Sequence, residues 1–213
     1  MHVPLFNDEG DPIVTWSLPR DFHNDIRYPA MLVKIIDHHF TDIMEDVKFK
    51  DVNYHLISND NGFMTYTPNH FSQRTLTARF QVNTTGGIPI ATYFIPKPAI
   101  TAMGFLSRLH NNKLDYTTYG NYNKSEIGMI LTTNDERNEF AGVIYNSADD
   151  EMDSAKTVTI HIDISAVISS YSQPVGILSY IDNNNGNPYK TWQKLGSIRY
   201  DKKIAAQALF HSC

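Results

Sequence analysis

The chain has 213 residues, is 41% hydrophobic and 12% aromatic, and carries a formal net charge of −5. That is enough apolar material for one large or two small globular domains, which excludes a disordered polar tail. The acidic balance lacks the clustered Lys and Arg that a nucleic-acid partner requires.

Val3 to Phe6 is a short apolar run that ends in Asn7-Asp8-Glu9. Leu32, Ile35, Ile36, His39, Phe40 and Ile43 then recur at helical spacing and predict an amphipathic helix over residues 24 to 44. Asn24 is placed to cap it, and Pro29 falls in the early turns, where a missing N–H costs least. Tyr54 to Ile57 is a second apolar run, ended by "SNDNG". From Thr75 the period becomes two: Leu76, Ala78, Phe80 and Val82 alternate with polar residues, and "TTGGIP" turns the chain into "IATYFIP", a hairpin. Pro98 opens a second helix with Ala99, Met103 and Leu106 on one face. Strand, helix, strand, long loop and helix make two βα units of a parallel α/β architecture.

The style changes near residue 112. Glu126 to Leu131, Phe140 to Tyr145, Val158 to Ile164 and Val175 to Ile181 read as short alternating strands separated by polar turns, the pattern of an antiparallel β-sandwich. His161 falls on the outward set of its strand, and Ile204 to Phe210 reads as a short closing helix. The expected division is therefore 1–112 and 113–213. The single cysteine, Cys213, excludes an internal disulfide and a cysteine-based metal site. His38 and His39 are adjacent on a helix and point to different faces, so they do not make a paired metal site. No metal or other cofactor is expected. No apolar run reaches the roughly 20 residues of a bilayer span, and "MHVPLFNDEG" lacks the regions of a signal peptide, so no membrane partner is expected. Two glycosylation sequons, at Asn83 and Asn123, point instead to a secreted protein.

In parallel α/β folds the chemistry collects at the carboxyl ends of strands, where the βα loops converge. Glu9 lies at one such end and Asp60 at the next, so adjacent units would bring both to one rim. On spacing alone, "NDEGDP" is more simply a polar turn and Asp60 an Asx-turn residue. Asn138-Glu139 stands at a strand start and reads as a surface pair.

Six stretches, "NDEGDPIVTWSLP", "YHLISNDNGF", "FSQRTLTARFQVNTT", "PKPAITAMGFLSRL", "GVIYNSADD" and "GNPYKTWQKLG", together resemble the alpha-L-iduronidases, retaining glycoside hydrolases whose broader pattern the beta-xylosidases share. The resemblance runs in order over essentially the whole chain. It implies the last two βα units of a (β/α)₈ TIM barrel, with Val3 to Phe6 and Tyr54 to Ile57 as strands seven and eight, followed by the β-sandwich. It implies Glu9 as the catalytic nucleophile, Arg74 as the binder of the sugar carboxylate, Asp60 as a second sugar contact and Trp16 as an aromatic beside the pocket. Asn83 and Asn123 match glycosylation positions. Thr15 departs from the family, which carries a Gly beside that Trp. The implied substrate is the terminal L-iduronate of the glycosaminoglycans dermatan and heparan sulfate, and the implied compartment for the parent family is the lysosome.

A retaining glycosidase needs two carboxyl groups about 5 to 5.5 Å apart. The family's acid/base Glu belongs to the fourth strand, which has no counterpart in these residues. The expectation is therefore a fragment, inactive alone, with the strand at Val3 to Phe6 left as an open edge. Two other readings stand beside it: a non-catalytic carbohydrate-binding chain, and part of a beta-xylosidase-like enzyme. Arg74 argues against the last, because a neutral pentose gives a guanidinium nothing to pair with.

Overall fold

The computed structural model describes residues 4–7, 21–56, 76–83, 89–120, 126–149, 159–163, 165 and 173–196. Strand β1 (Leu5–Asn7) leads through helix α1 (Arg27–His38) into strand β2 (Tyr54–Leu56), and the two strands pair in parallel. A parallel pair cannot be joined by a tight turn, so the helical crossover is what the topology demands. The expected βαβ unit is present.

The expected helix over 24 to 44 divides in two. Asn24 belongs to a preceding 3-10 turn, the N-cap is Ile26 with no side-chain cap, and Asp25 before it accepts the Arg27 backbone N–H at 2.9 Å while also holding its guanidinium. Beyond His38 the coil widens to a π-turn, His39–Met44. The side chains of His39 and Thr41 bond the carbonyls of Ile35 and Asp37, one turn back, and Glu45 closes the turn by donating to the Phe40 carbonyl. Such back-bonding competes with the regular ladder.

Strands β3 (Thr77–Asn83) and β4 (Pro89–Pro96) form the expected hairpin, with a register irregularity between Val82 and Asn83. Helix α2 (Pro98–Leu106) follows at once, with Pro98 at its first position. Strands β5 (Asn112–Lys113), β6 (Ile127–Thr133) and β7 (Phe140–Asn146) make one antiparallel sheet. Helix α3 (Pro188–Lys194) was not anticipated, although Asn187-Pro188 is a start signal: the Asn187 side chain accepts the Lys190 N–H at 3.0 Å.

Among the described residues three clusters make the core. Phe22, Tyr28, Met31 and Leu32 pack with Leu76 and Ala99. Val33 and Ala102 pack with Ile130, Val143 and Tyr145, so the inner face of the β6–β7 sheet lies on the two helices and the cluster draws from both sides of residue 112. Ala78, Ile95 and Trp192 join α3 to the hairpin. Tyr145 lies directly over Gly128, its register partner: a Cβ at 128 would stand 2.2 Å from the phenol oxygen.

Two of the expected sandwich strands do not form. Residues 159–163 and 174–181 join no ladder, and His161 is simply exposed. Val175, Ile177 and Leu178 are 88%, 89% and 87% exposed, so neither parity of that segment is buried. Period-two apolarity marks residues suited to a half-buried strand, but the strand itself needs a ladder partner that no local pattern supplies. The helix expected at Ile204 to Phe210 lies outside the described residues.

Candidate active site

The frame of the site is the β1–β2 pair. Leu5 faces Tyr54, Phe6 faces His55 and Asn7 faces Leu56, so the two strands end level with each other. The Leu5 N–H bonds to the Asn53 carbonyl at 2.8 Å, and the rings of Phe6 and His55 stack at 5.2 Å. Neighbouring strands lie about 4.8 Å apart. The described strand ends, Asn7 and Leu56, therefore stand side by side.

Glu9, Trp16, Asp60, Arg74 and Asn123 themselves lie outside the described residues. Asn83 is the last residue of β3, at the irregular end of the hairpin, opposite Pro89. Arg74 stands two residues before Leu76, whose carbonyl accepts the backbone N–H of Lys97 at 2.9 Å and ties the start of the hairpin to the start of α2.

Lys97 is a functional-type residue that sequence reading passed over. Its side chain is buried, its ammonium lies 5.7 Å from the centre of the Tyr189 ring, and burial pushes its pKa down to about 7. "PKP" between a strand and a helix gave no sign of this, because Lys is a common surface residue and the Tyr189 ring of α3 that meets its ammonium is distant in sequence. A second buried polar group joins α1 to the sheet: the Tyr145 hydroxyl donates to Asp37 at 2.9 Å, and the Lys34 ammonium donates to the Ser147 carbonyl at 3.1 Å and pairs with Asp149. Asn138 and Glu139 donate their backbone N–H groups to the Asn134 side chain in an exposed turn before β7, the surface role expected of them. Among the described residues no group of three or more His, Cys, Asp or Glu could hold a metal, and no helix is long and apolar enough to cross a membrane.

The chain is similar to known proteins over nearly its full length. It is 34% identical to the alpha-L-iduronidase of Mus musculus over 203 residues, 91% of this chain and 31% of that protein. It is also 34% identical to the Homo sapiens alpha-L-iduronidase, over 91% of this chain and 30% of that protein. With the Drosophila melanogaster alpha-L-iduronidase the figures are 26% identity, 97% and 32%. The chain thus spans somewhat under a third of these relatives' length. A solved structure of the bacterial orthologue of human alpha-L-iduronidase, described as catalytically competent without N-glycan modification, superposes with a TM-score of 0.56 at 24% identity, covering 70% of this chain and 24% of that one. This likeness in fold agrees with the β1–α1–β2 crossover, and the fold is related to the TIM barrel. With residues 1–211 matching its family model, the chain belongs to the glycoside hydrolases as a member of Glycosyl hydrolases family 39.

Proposed function

We propose that these residues carry the nucleophile half of an alpha-L-iduronidase-type retaining site. In this reading Glu9 attacks the anomeric carbon of a terminal L-iduronate in dermatan or heparan sulfate. The glycosidic C–O bond breaks as a glycosyl ester forms, and water then releases the sugar. Arg74 binds the uronate carboxylate through its planar fork, Asp60 holds the sugar from the neighbouring strand end, and Trp16 lines the pocket. Residues 1–112 are the barrel portion and 113–213 the sandwich portion, the whole working in a lysosome with glycans on Asn83 and Asn123.

The observation that supports this best is the level parallel register of β1 and β2, with Asn7 opposite Leu56, the two strand ends that Glu9 and Asp60 follow in the sequence. The sandwich reading draws support from the outer face of the β6–β7 sheet. There Ile127, Met129 and Leu131 are only half-buried and Ile144 is exposed, apolar surface of the kind a second sheet covers.

The 213 residues supply no acid/base partner for Glu9, and losing a general acid alone costs about 10² to 10⁴ in rate. Negligible iduronide hydrolysis is expected from the chain by itself. The test is a fluorinated iduronyl inhibitor applied to a full-length homologue, with peptide mass mapping of the position that aligns with Glu9. A covalent label at that position, lost when its Glu is replaced by Gln, is the expected result. A label on any other residue refutes the assignment.

A further inference from the structure

Lys34 and Asp37 lie one turn apart on α1, and both are buried against the end of β7. Their situations differ. Lys34 is fully engaged: it pairs with Asp149, donates to the Ser147 carbonyl, and Asp149 in turn accepts the Ser147 hydroxyl at 3.0 Å. Asp37 is 5% exposed and has one donor, the Tyr145 hydroxyl, on Oδ2; its Oδ1 is buried with no hydrogen-bond partner. A carboxylate half-satisfied in a dry site is costly, whereas the neutral acid keeps its acceptor oxygen for Tyr145 without burying a charge.

Among the described residues, the cations near Asp37 are already paired elsewhere. Along the helix and its π-turn stand Lys34, His38 and Asp42, and the last two pair with each other at 2.8 Å. β5 contributes Lys113, which is held by both carboxylate oxygens of Glu45 at 2.7 and 2.8 Å. Tyr145 and Asp149 come from β7 and the chain after it, with Tyr116 beside them, while α2 presents only Ala102, Phe105 and Leu106 to this interface.

We propose that Asp37 makes the docking of α1 on the β6–β7 sheet an acid-strengthened latch: the dry interface holds the neutral acid more readily than the ion, because the Tyr145 hydroxyl satisfies only one of the two carboxylate oxygens. Burial holds the Asp37 carboxyl above its ordinary range, against the opposing pull of the Tyr145 hydrogen bond and of Lys113 and His38. The folded chain then keeps a proton that the unfolded chain has released. The stabilisation is full below the unfolded pKa of 3.8 and is lost as pH rises through the higher folded value. Helix α1 is the connection between the strand that leads to Glu9 and the strand that leads to Asp60, so the latch steadies the proposed site from behind. It rests on the interface geometry alone and stands or falls independently of the sugar chemistry.

The test follows the Asp37 side-chain carboxyl by ¹³C NMR in the full chain, assigned by through-bond correlation to its own backbone, together with melting temperatures across the acidic and neutral range. Asp37 is expected to titrate above the other aspartates, and Tyr145→Phe should move its midpoint further up, because the hydroxyl favours the ion. Asp37→Asn, which cannot ionise, should gain in melting temperature relative to the wild type as pH rises through the Asp37 titration. A midpoint at or below the ordinary aspartate range overturns the latch. So does a Tyr145→Phe midpoint that stays or falls, or an Asp37→Asn difference independent of pH. The NMR arm decides the matter even where Asp37→Asn does not fold.

Discussion

Gly128 and Gly104 are both glycines inside regular elements, and the structure gives their replacement by alanine opposite signs. At Gly128 a new methyl would meet Tyr145 at 2.2 Å from the hydroxyl oxygen, 2.5 Å from Cζ and 2.9 Å from Cε1, against ordinary contacts of about 3.5 Å or more. The ring must swing by over about 1 Å, and the 2.9 Å bond from its hydroxyl to Asp37 cannot survive that. Losing a bond to a buried acceptor costs about 1–3 kcal/mol and overpacking about 1–3 kcal/mol, while removing a strand glycine returns roughly 0.5–1 kcal/mol. The net expectation for Gly128→Ala is a loss of about 3 kcal/mol, and Tyr145→Phe, which deletes only the hydrogen bond, should lose less. At Gly104, mid-α2, nothing lies within 4 Å of the added Cβ, so Gly104→Ala should gain up to about 1 kcal/mol from helix propensity. Urea unfolding of the three variants by circular dichroism measures this. A Gly128→Ala protein as stable as the wild type would refute the packing of Tyr145 over β6.

Lys97→Met should flatten the pH dependence of stability above neutrality. The folded Lys97 releases its proton near pH 7 and the unfolded one near 10.5, so the wild type gains stability as pH rises through that window; an unchanged slope in the variant would exclude the buried neutral amine. Asn187→Ala removes the cap of α3 and should cost about 1 kcal/mol, whereas Asn187→Asp should restore most of it; equal stabilities for wild type and alanine variant would argue against the cap.

The elements built from local signals were legible. The 3.6-residue pattern of Leu32, Ile35 and Ile36 marks α1, the alternation Leu76 to Val82 marks β3, and "KPA" marks the start of α2. What local pattern cannot carry is which surface arrives to cover it. Val33 and Asp37 sit on the side of α1 that faces β6–β7, a contact made across 108 residues in the case of Asp37 and Tyr145. Nothing in "KIIDHH" distinguishes that Asp from a solvated one. The failure at Val175 to Ile181 has the same origin, since its apolar residues stand at both parities and, among the described residues, no ladder partner meets them. For the site, the two strands were legible from the two short apolar runs, whereas their level register, which parallel pairing leaves free, was not. The roles of Glu9 and Arg74 came from resemblance, because a carboxylate after a strand and an Arg before a hairpin have many ordinary uses.

The Lys34–Asp149 pair offers a sharper check on how α1 is held, because its two ends are unequally buried. The Lys34 side chain is 11% exposed and that of Asp149 31%. Removing the cation with Lys34→Met keeps most of the buried stem's volume and leaves Asp149 free to meet water while still accepting the Ser147 hydroxyl, so the cost should be about 1 kcal/mol. Removing the anion with Asp149→Ala instead strands an ammonium in the interface with only the Ser147 carbonyl, and breaking a buried pair in that sense costs about 3–5 kcal/mol. The double variant should recover most of the difference, because no charge is then left uncompensated. Urea midpoints of the two single variants and the double variant measure the asymmetry. If Lys34→Met proved as damaging as Asp149→Ala, the cation would be contributing attraction beyond its own desolvation, and the account of α1 as a helix held to the sheet by one full ion pair and one pH-sensitive bond would have to give way.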